Sequence, residues 1–271
     1  MIQPGEARLR RSHDIGRADW IRDRLVGFAL GVHSVVPGGF PAYIRVLHPV
    51  EGPPPERRLV RWAEVAERAG VAMHASIDFD ELAAALDGTP DSKWRDLSEP
   101  WTGSLDPEPL AALCDVLARH TATPAACWFG IWDGNGWLHP DSGIVMTFTS
   151  DAAAEDRDGI ARPLLTEPGS HVTGLTWDAP AQAVPLFELP WREYRLLSGP
   201  LDAALEVGSV LNGVFFPESP NLIWPDDRAW CVATEVDLAS TYIAGPQALA
   251  DDLLADPRLD AWAVAADDPL S

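Results

Sequence analysis

The chain has 271 residues, 46% of them hydrophobic, with 20 Lys+Arg against 41 Asp+Glu and a formal net charge of −21. That length and apolar content suffice for a buried core in one large or two small domains, without disulfide or metal staples. The acidic balance opposes phosphate backbones and argues against nucleic acid as a partner, and no apolar run approaches the ~18 residues of a membrane span, so no membrane contact is expected.

Charge is unevenly placed. The first 70 residues hold 11 Lys+Arg against 8 Asp+Glu, a net of +3, and the remainder hold 9 against 33, a net of −24. Such a field favours a basic protein partner; its plainer reading is solubility together with the coding bias of a GC-rich genome, since Lys93 is the one lysine. Cys114, Cys127 and Cys231 sit far apart in apolar runs. That fits neither a disulfide framework nor a Cys-x-x-Cys motif and predicts reduced, buried thiols in a cytoplasmic protein. The N-terminus is charged throughout and lacks the apolar core of a secretion signal.

In chain order, residues 1–24 read as a basic N-terminal arm, within which Arg8, Arg10 and Arg11 are free to contact an acidic surface or to stay mobile. Residues 25–271 read as a single α+β domain. Leu25 to Val36 and Ala42 to Val50 are β-like runs around the turn-forming Pro37-Gly38-Gly39-Phe40-Pro41, and predict a hairpin. Arg58 to Gly70 places Leu59, Trp62, Val65, Ala66 and Ala69 on one helical face and stops at a glycine. A second helix runs from Asp78 to Leu86 with Asp78 as N-cap. A third begins at Asp106 and Pro107 and repeats Leu110, Leu113, Cys114 and Leu117. Cys127 to Leu138 predicts strand, turn, strand around Asp133-Gly134-Asn135-Gly136. Residues 150–182 lose periodicity and predict one long acidic loop or a disordered insertion. Ala183 to Gly199 then reads as a strand pair broken at Pro190, Leu201 to Leu211 as a short helix, and Pro246 to Pro257 as a capping helix. Without regular βαβ alternation, the expected architecture is a mostly antiparallel sheet flanked by a few helices.

Among motifs that carry chemistry, the absences weigh most. No Walker, dinucleotide, nucleophile-elbow or His-Glu-x-x-His pattern occurs, and the seven histidines are scattered singly. No cofactor and no metal is therefore expected. The best candidate is Ser219 to Leu238. Period-two alternation in Ala229 to Leu238 puts Trp230, Val232, Thr234, Val236 and Leu238 on the core face, and Cys231, Ala233, Glu235 and Asp237 on the other. Glu235 and Asp237, with Asp226 and Asp227 before them, form a carboxylate set that could chelate a hard cation or supply an acid and a base. Against this, the outer face of an antiparallel sheet is ordinarily polar, Pro225 to Arg228 reads as a type I turn with Pro at its second position, and Arg228 is placed to pair with one of the acids. Twelve Trp form the second constellation. Trp132-Asp133-Gly134-Asn135-Gly136-Trp137 and Trp224 beside the turn suit sugar stacking or a protein hot spot, and equally suit core filling.

Trp224 to Trp262, with Cys127 to Trp137 and Glu188 to Ala204, resembles a family of uncharacterised cytoplasmic proteins of GC-rich actinobacteria. The likeness covers most of the chain, least of all residues 150–182. It implies a cytoplasmic location and one compact unit, and it implies no catalytic residues. The leading expectation is a non-catalytic acidic interaction protein that binds a basic protein in the manner of a toxin-neutralising immunity protein. The expected surface is Trp224, Asp226, Asp227, Arg228, Glu235, Asp237, Trp132, Asp133, Asn135 and Trp137. The rivals are a metal-dependent hydrolase using the carboxylates and a carbohydrate-binding protein using Trp132, Trp137 or Trp224.

Overall fold

The structure, a computed structural model, describes residues 8–27, 31–53, 58–86, 94, 97–138, 185–211 and 214–271. The long loop expected at 150–182 lies outside them. The fold is α+β, with a mostly antiparallel sheet flanked by helices. In chain order its elements are β1 (Arg10–Arg11), α1 (Asp19–Arg22), β2 (Ala42–Leu47), β3 (Val50–Glu51), β4 (Leu59–Val60), α2 (Trp62–Ala69), α3 (Phe79–Leu86), α4 (Pro107–Leu117) and β5 (Cys127–Trp132). They continue with β6 (Leu186–Leu189), β7 (Arg192–Gly199), β8 (Gly208–Leu211), β9 (Val214–Pro217), β10 (Leu222–Pro225), β11 (Cys231–Thr234), β12 (Ser240–Gly245), α5 (Gln247–Ala255) and β13 (Ala261–Val264).

Nine strands form the main sheet in the order β1-β7-β5-β10-β11-β12-β2-β13, with β6 also paired to β7. Every pairing is antiparallel. β10 and β11 form a hairpin that pairs Ile223 with Val232, and β5 lies on the other side of β10 with Phe129 opposite Ile223. The pairs β3-β4 and β8-β9 stand apart.

Both faces of the sheet are covered. On one, α4 and α5 pack over Ile44, Phe129, Leu197, Ile223, Trp230, Val232 and Ile243. On the other, the segment around Trp20, Ile21, Val32 and Val36 packs over Tyr194, Leu222, Trp224, Cys231, Ala233 and Tyr242. The expected alternation along β11 therefore holds, but the polar outer face does not: all four β11 residues are buried. Cys231, Ala233 and Ala244 are small, so the N-terminal segment approaches closely enough to seal a face that antiparallel sheets commonly leave wet. A third cluster joins α2 and α3 through Trp62, Val65, Phe79 and Leu82.

Local chemistry explains the helices. α2 ends in a Schellman motif: Gly70 adopts φ 70°, Val71 N donates to Ala66 O at 3.0 Å and Gly70 N to Glu67 O at 3.4 Å. Asp78 caps α3 by accepting from Glu81 N at 2.9 Å. Pro107 opens α4, and its buried stripe includes Leu110, Leu113, Cys114 and Leu117. α5 forms where the capping helix is predicted.

Three expectations are corrected. Among the described residues of 25–36 there is no strand: Val32–Ser34 is a 3-10 turn, Leu25, Val32, Val35 and Val36 help seal the second face, and β2 pairs with β12 and β13 instead. β5 is followed by a 3-10 turn at Gly136–Leu138 rather than a hairpin strand, because its two neighbours are β10 and β7. Leu201–Glu206 is a 3-10 turn, and the residues after it are strand β8. Arg8 does meet an acidic surface, which is this chain's own: it donates to Glu206 at 2.6 Å and to Asp202 at 2.7 Å.

Candidate functional site

The strand directions sort the expected site residues into two groups at opposite ends of the sheet. Asp226, Asp227 and Arg228 lie in the turn between β10 and β11, and Glu235 and Asp237 lie beyond the far end of β11, about 13 Å of strand away. The four carboxylates do not converge. Among the described residues no group of three or more His, Cys, Asp and Glu is placed to hold a metal ion.

The turn group is occupied by structural hydrogen bonds. Arg228 N donates to Pro225 O at 2.9 Å, so Pro225 opens the turn rather than standing second in it. Asp226 accepts from Trp128 Nε1 at 3.0 Å and pairs with Arg17 at 3.2 Å. Asp227 accepts from Thr121 Oγ1 at 2.8 Å and from Ala122 N at 2.7 Å. Arg228 pairs with no acid in the turn; it takes φ 56° and lays its guanidinium 5.7 Å from the Trp20 ring centroid.

Of the aromatic candidates, Trp224 and Trp137 are buried and Trp132 is half-buried. Trp132 carries the Arg192 guanidinium 5.5 Å from its ring centroid. Asp133 pairs with Arg195 at 2.5 Å, and Asn135 N caps the turn on Trp132 O at 3.2 Å. Sugar stacking needs open ring faces, which Trp224 and Trp137 do not offer.

The other end of the sheet assembles differently. β6 and β7 are joined by the two-residue turn Pro190-Trp191, with Leu189 paired to Arg192 across it. Proline fixes the first turn position, and Trp191 takes φ 71° at the second, the place in a type II turn that Gly or Asn normally fills. A bulky side chain there costs about 1 kcal/mol or more, and 75% of Trp191 is exposed. One register step back, Glu188 stands directly opposite Glu193, both exposed, a like-charge pair that destabilises a ladder. The hairpin tip thus carries three unfavourable features: strain, exposed indole and opposed carboxylates.

Arg192 ties this tip to the loop after β11. Its Nη2 donates to Glu235 Oε1 at 2.7 Å and to Asp237 Oδ2 at 2.7 Å, and its Nε reaches the same Glu235 oxygen at 3.1 Å. Burial opposes the charge on Arg192, but hydrogen bonding to Glu235 and the field of both acids outweigh it and raise its pKa. Glu235 and Asp237 meet the same arginine, but from the turn after β11 rather than from one face of the strand as expected, with the Glu235 side chain 13% exposed and that of Asp237 78%. A small cleft opens beside them, lined by Leu25, Val35, Leu189, Tyr194, Asn221 and Glu235 among others. Asn221 braces it by accepting from Trp132 N at 2.8 Å and donating to Thr234 O at 3.3 Å. Burial, with the charge of Glu235 adding, raises the Tyr194 hydroxyl well above its ordinary pKa and keeps it protonated.

Gly103 holds the loop in place. It takes φ 75°, donates its N–H to Leu238 O at 3.0 Å, and leaves a Cβ only 2.8 Å from Val236 O. Gly103→Ala is expected to lose about 2 kcal/mol or more, from left-handed strain and backbone overlap together, read as a lower urea midpoint at unchanged slope.

The three thiols offer no nucleophile. All are free and buried, and desolvation pushes Cys114 and Cys127 up to about 12 and raises Cys231 as well. Sequence reasoning missed Trp191, Arg192, Tyr194 and Asn221. The readable signal was Leu189-Pro190-Trp191-Arg192 between two strands, a two-residue turn with Trp where Gly belongs.

Comparison of the chain with known proteins found no matching family model, no matching curated protein and no matching solved structure. Among the described residues no helix is long and apolar enough to cross a membrane.

Proposed function

We propose that the protein is a non-catalytic, acidic interaction protein of the cytoplasm, immunity-like in that it sequesters a basic protein partner, and that the β6-β7 tip is its contact surface. The observation that carries this reading is Trp191. It stands 75% exposed at a left-handed position, beside the opposed Glu188 and Glu193, and strain kept at one site is an argument from the outlier to a role. Exposed Trp supplies hot-spot area, and surrounding acids select a basic partner and speed its approach. Trp101, 51% exposed, is joined to the same end through Gly103 and Leu238. The net charge of −21 adds long-range steering.

The test is binding to a panel of basic proteins at about 0.05 and 0.3 M salt. The expected result is salt-sensitive binding to at least one member, weakened about tenfold or more by Trp191→Gly and by Glu188→Lys with Glu193→Lys. Asp251→Lys is the control, on α5, which packs against α4, β2 and β13 rather than the hairpin, and it should bind as the parent does. Binding to no basic protein, or equal weakening by the tip and control variants, would sink the reading. Trp191→Gly should at the same time leave stability unchanged or raise it by up to about 1 kcal/mol, because glycine relieves the strained φ.

A further inference from the structure

We infer that the outer edge of β6 takes up one extended basic segment of the partner as an added antiparallel strand, with a Lys or Arg of that segment set beside Glu188. This rests on the contact surface proposed above and names the form and chemistry of what binds there.

β6 lies at the rim of the main sheet and pairs with β7 alone. The two-residue turn makes Leu189 and Arg192 the pair that exchanges hydrogen bonds, and the alternation of an antiparallel ladder then turns the main chain of Glu188 and Leu186 away from β7. The other side of β7 agrees: Asp133 N donates to Glu193 O at 2.8 Å, so the main chain of Glu193 faces β5 and not Glu188. Among the described residues nothing hydrogen-bonds to the N–H or C=O of Leu186 or of Glu188. These outward groups form a template on which another strand can pair.

Charge selects that strand. Glu188 and Glu193 stand side by side on one face of the hairpin, and neither carboxylate makes an ion pair or hydrogen bond among the described residues. Arg195, on the same face of β7, is taken by Asp133 at 2.5 Å. A residue opposite Glu188 on an added strand has its Cβ about 5 Å from that of Glu188 and on the same face, so a Lys or Arg there reaches the carboxylate and offsets the like-charge pair. A second copy of this chain, at net −21, is repelled. The chain's own residues 139–184 carry seven Asp+Glu against two Arg, the same sign as the edge. Carboxylates on the rim thus keep acidic strands off and admit a basic one. Exposed Trp191 stands at the end of that rim.

The experiment is titration of the whole chain with an octapeptide of alternating lysine and threonine, with amide hydrogen exchange read residue by residue by NMR. The peptide should bind and slow exchange at Leu186 and Glu188 about tenfold or more, leaving Phe187 and Leu189, which already face β7, unchanged. With lysine side chains over Glu188, the lysine N–H groups point at β6 and the threonine N–H groups point away. Methylating the lysine main-chain nitrogens should therefore abolish binding, and methylating the threonine nitrogens should leave it intact, although both peptides keep the full charge. An octapeptide with glutamate in place of lysine should not bind, and Glu188→Gln should weaken the lysine peptide about two- to fivefold. No binding of the lysine peptide, unchanged exchange at Leu186 and Glu188, or equal effects of the two methylations would each overturn the added strand. If basic proteins nevertheless bind and Trp191→Gly weakens them, the surface reading stands without it.

Discussion

Replacing Trp230 by alanine is expected to cost about 4 kcal/mol of folding free energy. Trp230 is fully buried immediately before β11, inside the cluster that joins the sheet to α4 and α5. Its indole Nε1 donates to Leu117 O at 3.2 Å, in the last turn of α4. Truncation therefore opens a cavity between sheet and helix and leaves a buried carbonyl without its donor, two costs that add. Trp230→Phe separates them. It keeps most of the ring volume, loses the hydrogen bond and should cost about 1 to 2 kcal/mol. Urea denaturation followed by far-ultraviolet circular dichroism measures both. A Trp230→Ala loss below about 2 kcal/mol would mean that α4 is held to the sheet by its other contacts. Trp191 contrasts with it: both tryptophans flank sheet strands, but Trp230 is buried and donates to Leu117 O, whereas Trp191 is 75% exposed at φ 71°.

That contrast marks what could be read in advance. Helices α2, α3 and α4 were legible because their ends carry local chemistry, namely Gly70, Asp78 and Pro107. The β6-β7 pair was legible because Pro190 interrupts two apolar runs. Leu25 to Gly27 and Gly31 to Val36 were misread because an apolar run packed as irregular chain over a sheet has the same composition as a strand, and periodicity does not separate the two. The site was half legible. Glu235 and Asp237 were picked out by an alternation that does not reach them, since β11 ends at Thr234 and both sit in the turn after it; their partner Arg192 lies 43 and 45 residues back in the chain, and its arrival depends on strand order in the sheet, a tertiary property with no local signature. Asp226 and Asp227 failed to join them for a simple geometric reason: a strand that separates two turns also places those turns at opposite ends of the sheet.

Lowering the pH from 6.5 to 4 is expected to remove about 3 kcal/mol of stability through His48 alone. His48 is fully buried where β2 ends. Its ring Nδ1 lies 2.6 Å from Trp101 O and its Nε2 2.9 Å from Thr241 Oγ1, which in turn lies 2.8 Å from Thr234 Oγ1. A carbonyl can only accept, so Nδ1 carries the proton and Nε2 accepts from Thr241. Burial opposes the imidazolium most, the Trp101 carbonyl favours it and the charge of Arg45 opposes it, for a folded value lowered to about 4. The unfolded chain binds the proton near pH 6.5 and the folded chain does not until about pH 4. Between those values the unfolded state holds more protons, so stability falls as pH falls, by up to one proton's worth per pH unit, and the effect is complete below pH 4. Glu64 and Asp256, whose values Arg58 and Arg258 lower, contribute only below about pH 4.5 and leave the upper part of the window to His48. His48→Asn places an amide donor where Nδ1 stood and cannot titrate. It should be less stable at pH 7 and should show a nearly flat profile from about pH 6.5 to 4.5, where the parent slopes. Parallel profiles for the two would remove His48 as the cause.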